Sequence, residues 1–305
     1  MRIIFFGTPE FAVESLQALV DAQMNVVAVV TAPDKPAGRG QHLQPSPVKL
    51  FAETAGLPVL QPIKLKDPAF LEELRLYKAD LQIIVAFRML PEQVWNMPRL
   101  GTFNLHASLL PNYRGAAPIH WAIINGEQET GVTTFFLQHE IDTGDLLFQE
   151  KEIISEHDTT GELYDRLMKK GAKLVVKTTQ AIIDGAIHPQ AQIESLELRI
   201  APKLTKETGL VHWFKDGKSI VNLIRGMNPF PGAHTVFQGK HCKISSVRFH
   251  PEIIPDLGIG VWDTDQKTYL RVGCADGYIE ILTWQMEGKK KMDIADFLRG
   301  YSFTF

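Results

Sequence analysis

With only two cysteines in 305 residues, Cys242 and Cys274, the chain has neither a disulfide framework nor a thiolate cluster for a structural metal. Both lie in strand-like runs, where reduced, buried thiols are expected. Long apolar runs are also missing: none approaches the ~20 residues of a membrane span. The apolar opening Ile3-Ile-Phe-Phe6 is too short for a signal sequence and reads as a strand. Nor is there much charge of one sign. A net charge of −3, slightly acidic up to residue 204 and slightly basic beyond it, provides no global field that would gather a polyanion. What remains, 45% hydrophobic and 22% charged residues, is the composition of a soluble globular protein with length for two cores, expected in the cytoplasm.

Two further absences concern chemistry. Gly7-Thr-Pro-Glu-Phe-Ala12 places one glycine after the first strand, where a dinucleotide-binding turn needs G-x-G-x-x-G. NAD is therefore not expected, although backbone N–H groups at such a turn can still face a ligand. His106, His120 and His139 lack the H-x-x-x-H spacing of a helical zinc site, so no metal is expected.

Short apolar runs alternate with helical patterns through the first half. Strands are expected at 2–6, 26–31, near 58, at 81–86 and at 101–105, with helices starting after Ser46 and Asp67 as N-caps. Such alternation predicts a doubly wound, Rossmann-like α/β sheet. Further strands are expected at 130–137 and 146–154, and a helix from Thr159 to about Ile183, with Thr159 and Glu162 as a capping box. Residues 1–188 then form the first domain and 189–204 a linker. Residues 205–305 form a second domain, with helices at 205–214 and 219–227 followed by short strands of a small OB-like β-barrel.

One irregular stretch stands out in the first domain. Pro33 to Pro47 holds four prolines and two glycines around Lys35, Arg39 and His42, and is expected to form neither helix nor central strand. A loop of this length is either a mobile surface segment or a functional one, here a cationic finger toward a phosphate backbone.

The chemistry converges on Asn104, His106 and Asp142. Strand alternation puts Asn104 and His106 on one face, and Asp142-Thr-Gly-Asp145 forms a turn between two strands. A neutral amide donor suits an oxygen that gains charge during attack on a carbonyl, and an imidazole beside a carboxylate moves a proton near neutral pH. Ser108 lacks a G-x-S-x-G setting, so acyl transfer without a serine intermediate is expected. Phe87-Arg-Met-Leu90, at the carboxyl end of the 81–86 strand, could line a slot for a flat heterocycle.

Asn104-Leu-His-Ala-Ser-Leu-Leu-Pro111 with Tyr113-Arg-Gly-Ala-Ala-Pro118, and Asp142-Thr-Gly-Asp145, resembles the signature of 10-formyltetrahydrofolate-dependent formyltransferases. Phe6-Gly-Thr-Pro-Glu-Phe11, Pro33-Asp-Lys-Pro-Ala-Gly-Arg-Gly40 and Ile224-Arg-Gly-Met-Asn-Pro-Phe-Pro-Gly232 narrow it to the branch acting on methionine esterified to initiator tRNA. The resemblance implies Asn104, His106 and Asp142 as catalytic. It also implies a folate site at Phe87, Arg88, Met89, Leu90, Ser108, Leu109, Leu110, Pro111 and Asp142. Lys35 and Arg39 would enter the acceptor arm of the tRNA, with Lys203, Lys206 and Lys243 as further contacts. It implies 10-formyltetrahydrofolate as formyl donor; a monomer is expected, and no metal, because proton transfer and oxyanion donation cover the changing charges. Arg88 stands where many members have a Tyr-Gly-containing segment. An amino-sugar nucleotide or a purine precursor as acceptor, or water in a formate-releasing hydrolase, would suit the same three residues.

Overall fold

The first apolar run, Ile3–Gly7 (β1), is buried at every position, as expected of a strand covered on both faces. In the computed structural model, which describes residues 1–37, 42–193 and 197–302, β1 leads to α1 (Glu10–Asp21), β2 (Val26–Val30), β3 (Lys35–Ala37) and β4 (His42–Gln44). There follow α2 (Pro47–Thr54), β5 (Val59–Leu60), α3 (Pro68–Leu76), β6 (Leu81–Val85), α4 (Glu92–Trp95), β7 (Thr102–His106) and β8 (Arg114–Gly115). Next come α5 (Pro118–Ile124), β9 (Glu129–Phe136), β10 (Leu146–Ile153), α6 (Thr160–Ile183) and β11 (Ile200–Ala201). The last third holds α7 (Gly217–Gly226), β12 (Ala233–Phe237), β13 (Lys240–His250), β14 (Trp262–Thr264), β15 (Leu270–Cys274), β16 (Gly277–Met286), β17 (Met292–Asp293) and α8 (Ile294–Leu298). The chain divides into two compact units. Residues 1–115, 130–152 and 164–200 form the first, and residues 116–129, 153–163 and 201 onward the second.

The first unit is built on a seven-stranded sheet in the order β10-β9-β7-β6-β1-β2-β5. β1 runs parallel to β2 and β6, and β6 parallel to β7, whereas β9 is antiparallel to β7. Strand order therefore reverses between β1 and β6. At such a switch point the connections leave on opposite faces, and a crevice opens at the carboxyl ends of the strands. Ser46 and Asp67 cap α2 and α3 as expected, accepting from the N–H groups of Lys49 and Ala69. Each cap contributes about 1 kcal/mol.

Two segments of this unit carry more structure than the sequence showed. The Pro33–Pro47 stretch contains a short antiparallel hairpin, pairing Lys35 with Gln44 and Pro36 with Leu43. A proline fits there because a two-stranded ribbon leaves alternate N–H positions unpaired. Its root is fixed by Asp34, which accepts from Lys49 Nζ and Gln61 Nε2, both at 2.7 Å. The stretch expected as a linker also bonds to the first unit: Gln190 and Leu146 exchange two backbone bonds, and Tyr113 donates to the Arg199 carbonyl.

In the second unit the strands form an antiparallel sheet in the order β12-β13-β16-β15-β14, with β17 paired to β16. Trp284, Ile244, Ile279 and Ile281 lie in its core with Phe297 of α8. Cys242 and Cys274 are both buried and unlinked, and burial pushes the Cys242 thiol up to about 11. The helix expected at 205–214 is replaced by one 3-10 turn, Glu207–Gly209. Thr205 and Thr208 close that turn reciprocally, each hydroxyl accepting the other's N–H, and Val211 then donates to the His234 carbonyl, which makes the chain extended. The second expected helix forms as α7, capped by Asp216. Thr159 and Glu162 form the expected capping box ahead of α6.

Candidate active site

β7 presents Asn104 and His106 on the face away from α6. Leu105, between them, packs on Gly171 of that helix, where an added Cβ would come within 2.7 Å of the leucine. The absence of a side chain at Gly171 lets α6 lie on Leu105, and a period of two sends its neighbours to the other side. Asn104 is half-buried, and its amide has no hydrogen-bond partner among the described residues. It is therefore free to donate to a ligand.

His106 is buried. Its Nε2 lies 2.8 Å from the Tyr113 carbonyl oxygen and its Nδ1 lies 3.7 Å from Asp142 Oδ2. A carbonyl only accepts, so Nε2 carries the hydrogen, and in the neutral ring the Nδ1 lone pair faces the carboxylate. The tautomer is therefore set by the Tyr113 carbonyl and not by Asp142. Tyr113 turns that carbonyl inward by adopting a positive φ of 61°. The Asp142 distance exceeds hydrogen-bond length, which leaves the carboxylate an electrostatic partner for the protonated ring.

Asp142 sits in a left-handed turn, φ 56°, and its Oδ2 accepts the Gly115 N–H at 2.9 Å. Two residues on, a Cβ at Gly144 would fall 1.6 Å from the Phe136 carbonyl oxygen, so only glycine fits. The turn carbonyls of Asp142 and Gly144 both accept from Gln192 Nε2 at 2.8 Å.

Of the residues expected at the folate site, Ser108 is fully buried and donates to the Asn112 carbonyl, so its hydroxyl belongs to the loop itself. Leu110 is buried, while Leu109 and Pro111 are half-buried. Thr133 on β9 fastens this loop, donating to the Ser108 carbonyl at 2.6 Å and accepting the Leu110 N–H at 3.2 Å. Gln149 Nε2 donates to the Leu110 carbonyl and to Thr133 Oγ1. Neither Thr133 nor Gln149 was legible in the sequence: both sit in ordinary strand alternation.

Phe87 to Leu90 follow β6 at the switch point, where Ala86 takes a positive φ of 47° and turns the chain. Phe87 meets Phe6 edge to face at 5.7 Å and Leu90 is buried, while Met89 is exposed. Arg88 turns away to donate to the carbonyls of Pro62 and Ile63, so its guanidinium ties two loops together.

The expected basic contacts fall in both units. Lys35 is exposed on β3, and Arg39 lies outside the described residues. Lys203, Lys206 and Lys243 line a groove of about 740 Å³ in the second unit with His120, His234, His241 and an exposed Phe230. Burial, together with His241, Lys206 and Lys243, holds His234 below the usual histidine range. Burial also lowers His120, partly offset by its bond to the Phe230 carbonyl. Among the described residues no group of three His, Cys, Asp or Glu side chains is placed to hold a metal ion, and no helix is long and apolar enough to cross a membrane.

A mostly parallel α/β sheet carries, near its switch point, a free amide and an imidazole facing a carboxylate, groups whose chemistry suits acyl transfer. Residues 1–179 match the formyl transferase family and residues 203–302 match the formyl transferase C-terminal domain, and the chain belongs to this family of formyltransferases. It is 54% identical to the methionyl-tRNA formyltransferase of Phocaeicola vulgatus and 52% identical to that of Parabacteroides distasonis. Each alignment covers 99% of this chain and 96% of the relative. Among solved structures it resembles WlaRD, a sugar 3N-formyl transferase, with TM-score 0.69 and 22% identity over 95% of this chain and 99% of that one. It also resembles HypX from Aquifex aeolicus in complex with tetrahydrofolic acid, with TM-score 0.65 and 21% identity over 98% of this chain. This chain spans about half the length of HypX, covering 47% of it.

Proposed function

We propose that this formyltransferase moves the formyl group of 10-formyltetrahydrofolate to the α-amine of methionine esterified to initiator tRNA, acting as a cytoplasmic monomer. The observation that carries the chemistry is the His106 ring, held by the Tyr113 carbonyl with Nδ1 toward Asp142, on the same strand face as the free amide of Asn104. The acceptor is supported by the methionyl-tRNA formyltransferases that match over nearly the full chain.

In the proposed reaction the neutral amine attacks the formyl carbon, and the carbonyl electron pair moves onto oxygen. Asn104 donates to that oxygen, an interaction worth about 3–4 kcal/mol of barrier. His106 Nδ1 takes the proton released by the new C–N bond and returns it to the departing N10 nitrogen, so the enzyme ends as it began. Asp142 stabilises the ring while it is charged.

The slot between Phe87–Leu90 and the Ser108–Pro111 loop is assigned to the folate. With Arg88 bound to the 62–63 carbonyls, backbone groups rather than that side chain face the heterocycle. Lys35 and Arg39, with Lys203, Lys206 and Lys243, are assigned to the phosphates of the acceptor arm.

Purified protein is incubated with 10-formyltetrahydrofolate and methionine-charged initiator tRNA, each omitted in turn. N-formylmethionyl-tRNA is expected only with both present. Formate released without any amine, or formylation of an amino-sugar nucleotide but not of the charged tRNA, would overturn the assignment.

A further inference from the structure

Gln192 lies beyond α6 in a stretch with no periodic pattern, yet its amide makes all the hydrogen bonds such a group can usefully make. Nε2 donates to the Asp142 and Gly144 carbonyls, both at 2.8 Å. Oε1 accepts from Nε and from a terminal nitrogen of Arg114, at 3.1 and 2.7 Å. Arginine only donates and carbonyls only accept, so the amide has one permitted orientation. Arg114 precedes Gly115, whose N–H holds the Asp142 carboxylate at 2.9 Å. Asp142 is thus held twice: its side chain through Gly115 and its backbone through Gln192, with Arg114 joining the two.

The turn needs such a hold. Asp142 occupies the left-handed region, a conformation that costs a non-glycine residue on the order of 1 kcal/mol and persists where surrounding contacts impose it. The exposed neighbours Glu140 and Ile141 bring little packing of their own.

We infer that Gln192 is a positioning residue for the reaction, fixing the Asp142 turn so that the carboxylate stays opposite His106 Nδ1. This rests on the formyl-transfer reading above. Two variants separate positioning from general support. Gln192→Ala removes every bond. Gln192→Glu keeps, and charges, the partner of Arg114 but puts oxygens against the two turn carbonyls, which cannot donate.

For both variants we expect kcat to fall at least tenfold with the KM for folate and for tRNA within twofold. Amide hydrogen exchange should quicken in the peptide spanning 137–146 and not in the α3 or α7 peptides. Adding Gln192→Ala to Asp142→Ala should lower kcat no further. Exchange at wild-type rates in that peptide, kcat within twofold of wild type, or a fully multiplicative loss in the double variant would overturn the inference. If the wild-type chain itself formylates no charged tRNA, the functional reading fails and the exchange measurement alone decides the role of Gln192.

Discussion

His106 Nδ1 and Asp142 Oδ2 face each other at 3.7 Å, across a gap bridged by no hydrogen bond, while the other ring nitrogen is committed to Tyr113. In the proposed reaction the charge of Asp142, rather than its geometry as an acceptor, is the property that would act. Asp142→Asn keeps an oxygen for the Gly115 N–H, so the turn is retained and only the charge is removed. Single-turnover formyl transfer is expected to slow by on the order of 10²-fold, within the range of general acid–base effects. An unchanged rate would remove the carboxylate from the chemistry.

Asn104→Ala and His106→Ala test the other two groups. Loss of the amide is expected to cost about 10²- to 10³-fold in single-turnover rate, and loss of the imidazole about 10²- to 10⁴-fold. Folate affinity, followed by fluorescence, should change little for either. Near-wild-type rates would exclude both residues.

The basic residues should act on binding and not on the chemical step. For Arg39→Ala, Lys203→Ala, Lys206→Ala and Lys243→Ala, tRNA affinity should fall, most of all at low salt. The slope of log affinity against log salt should decrease by about 0.7–0.9 for each phosphate that is no longer neutralised. Arg39→Ala should also narrow the preference for initiator over elongator tRNA. Full retention of that preference would sink the role of the 33–47 segment.

Stability should decline in mild acid before carboxylates titrate. His120 and His234 have folded pKa values below the ordinary 6.5, chiefly through burial. The unfolded chain therefore binds more protons than the folded one as pH drops below about 6.5, and the unfolding free energy falls with it. A second decline belongs to Asp34, lowered by its bonds to Lys49 and Gln61. Glu152 contributes too, burial there being outweighed by Arg166 and Lys170, and both carboxylates act as pH drops below about 4.5. Urea midpoints between pH 7 and 5 should show the first decline, and the His120→Gln, His234→Gln double variant should flatten it. A flat wild-type profile would contradict the assignment.

Much of the fold was legible because it depends on local rules. Ser46 and Asp67 cap helices through neighbours two or three residues away, and the Thr159–Glu162 box closes within a single turn. The 205–214 segment misled for the opposite reason: its helical pattern was overridden by the long-range bond from Val211 to the His234 carbonyl. Likewise Gln190, Gln192 and Arg199 lie in a stretch with no pattern, because they are placed by backbone bonds to Leu146 and Tyr113 and by one glutamine side chain.

The sequence by itself determined the alternation of strands and helices, the family signature, and the pairing of Asn104 with His106 on one face, since a strand's period of two permits nothing else. Only the tertiary structure decided which nitrogen of His106 carries the hydrogen, where Arg88 points, and how the Asp142 turn is held. The last two rest on contacts across 25 and 26 residues from Arg88 to Ile63 and Pro62, 27 from Gly115 to Asp142 and 78 from Arg114 to Gln192. At such separations no local propensity acts, and the geometry exists only once the sheet and the loops around it have closed.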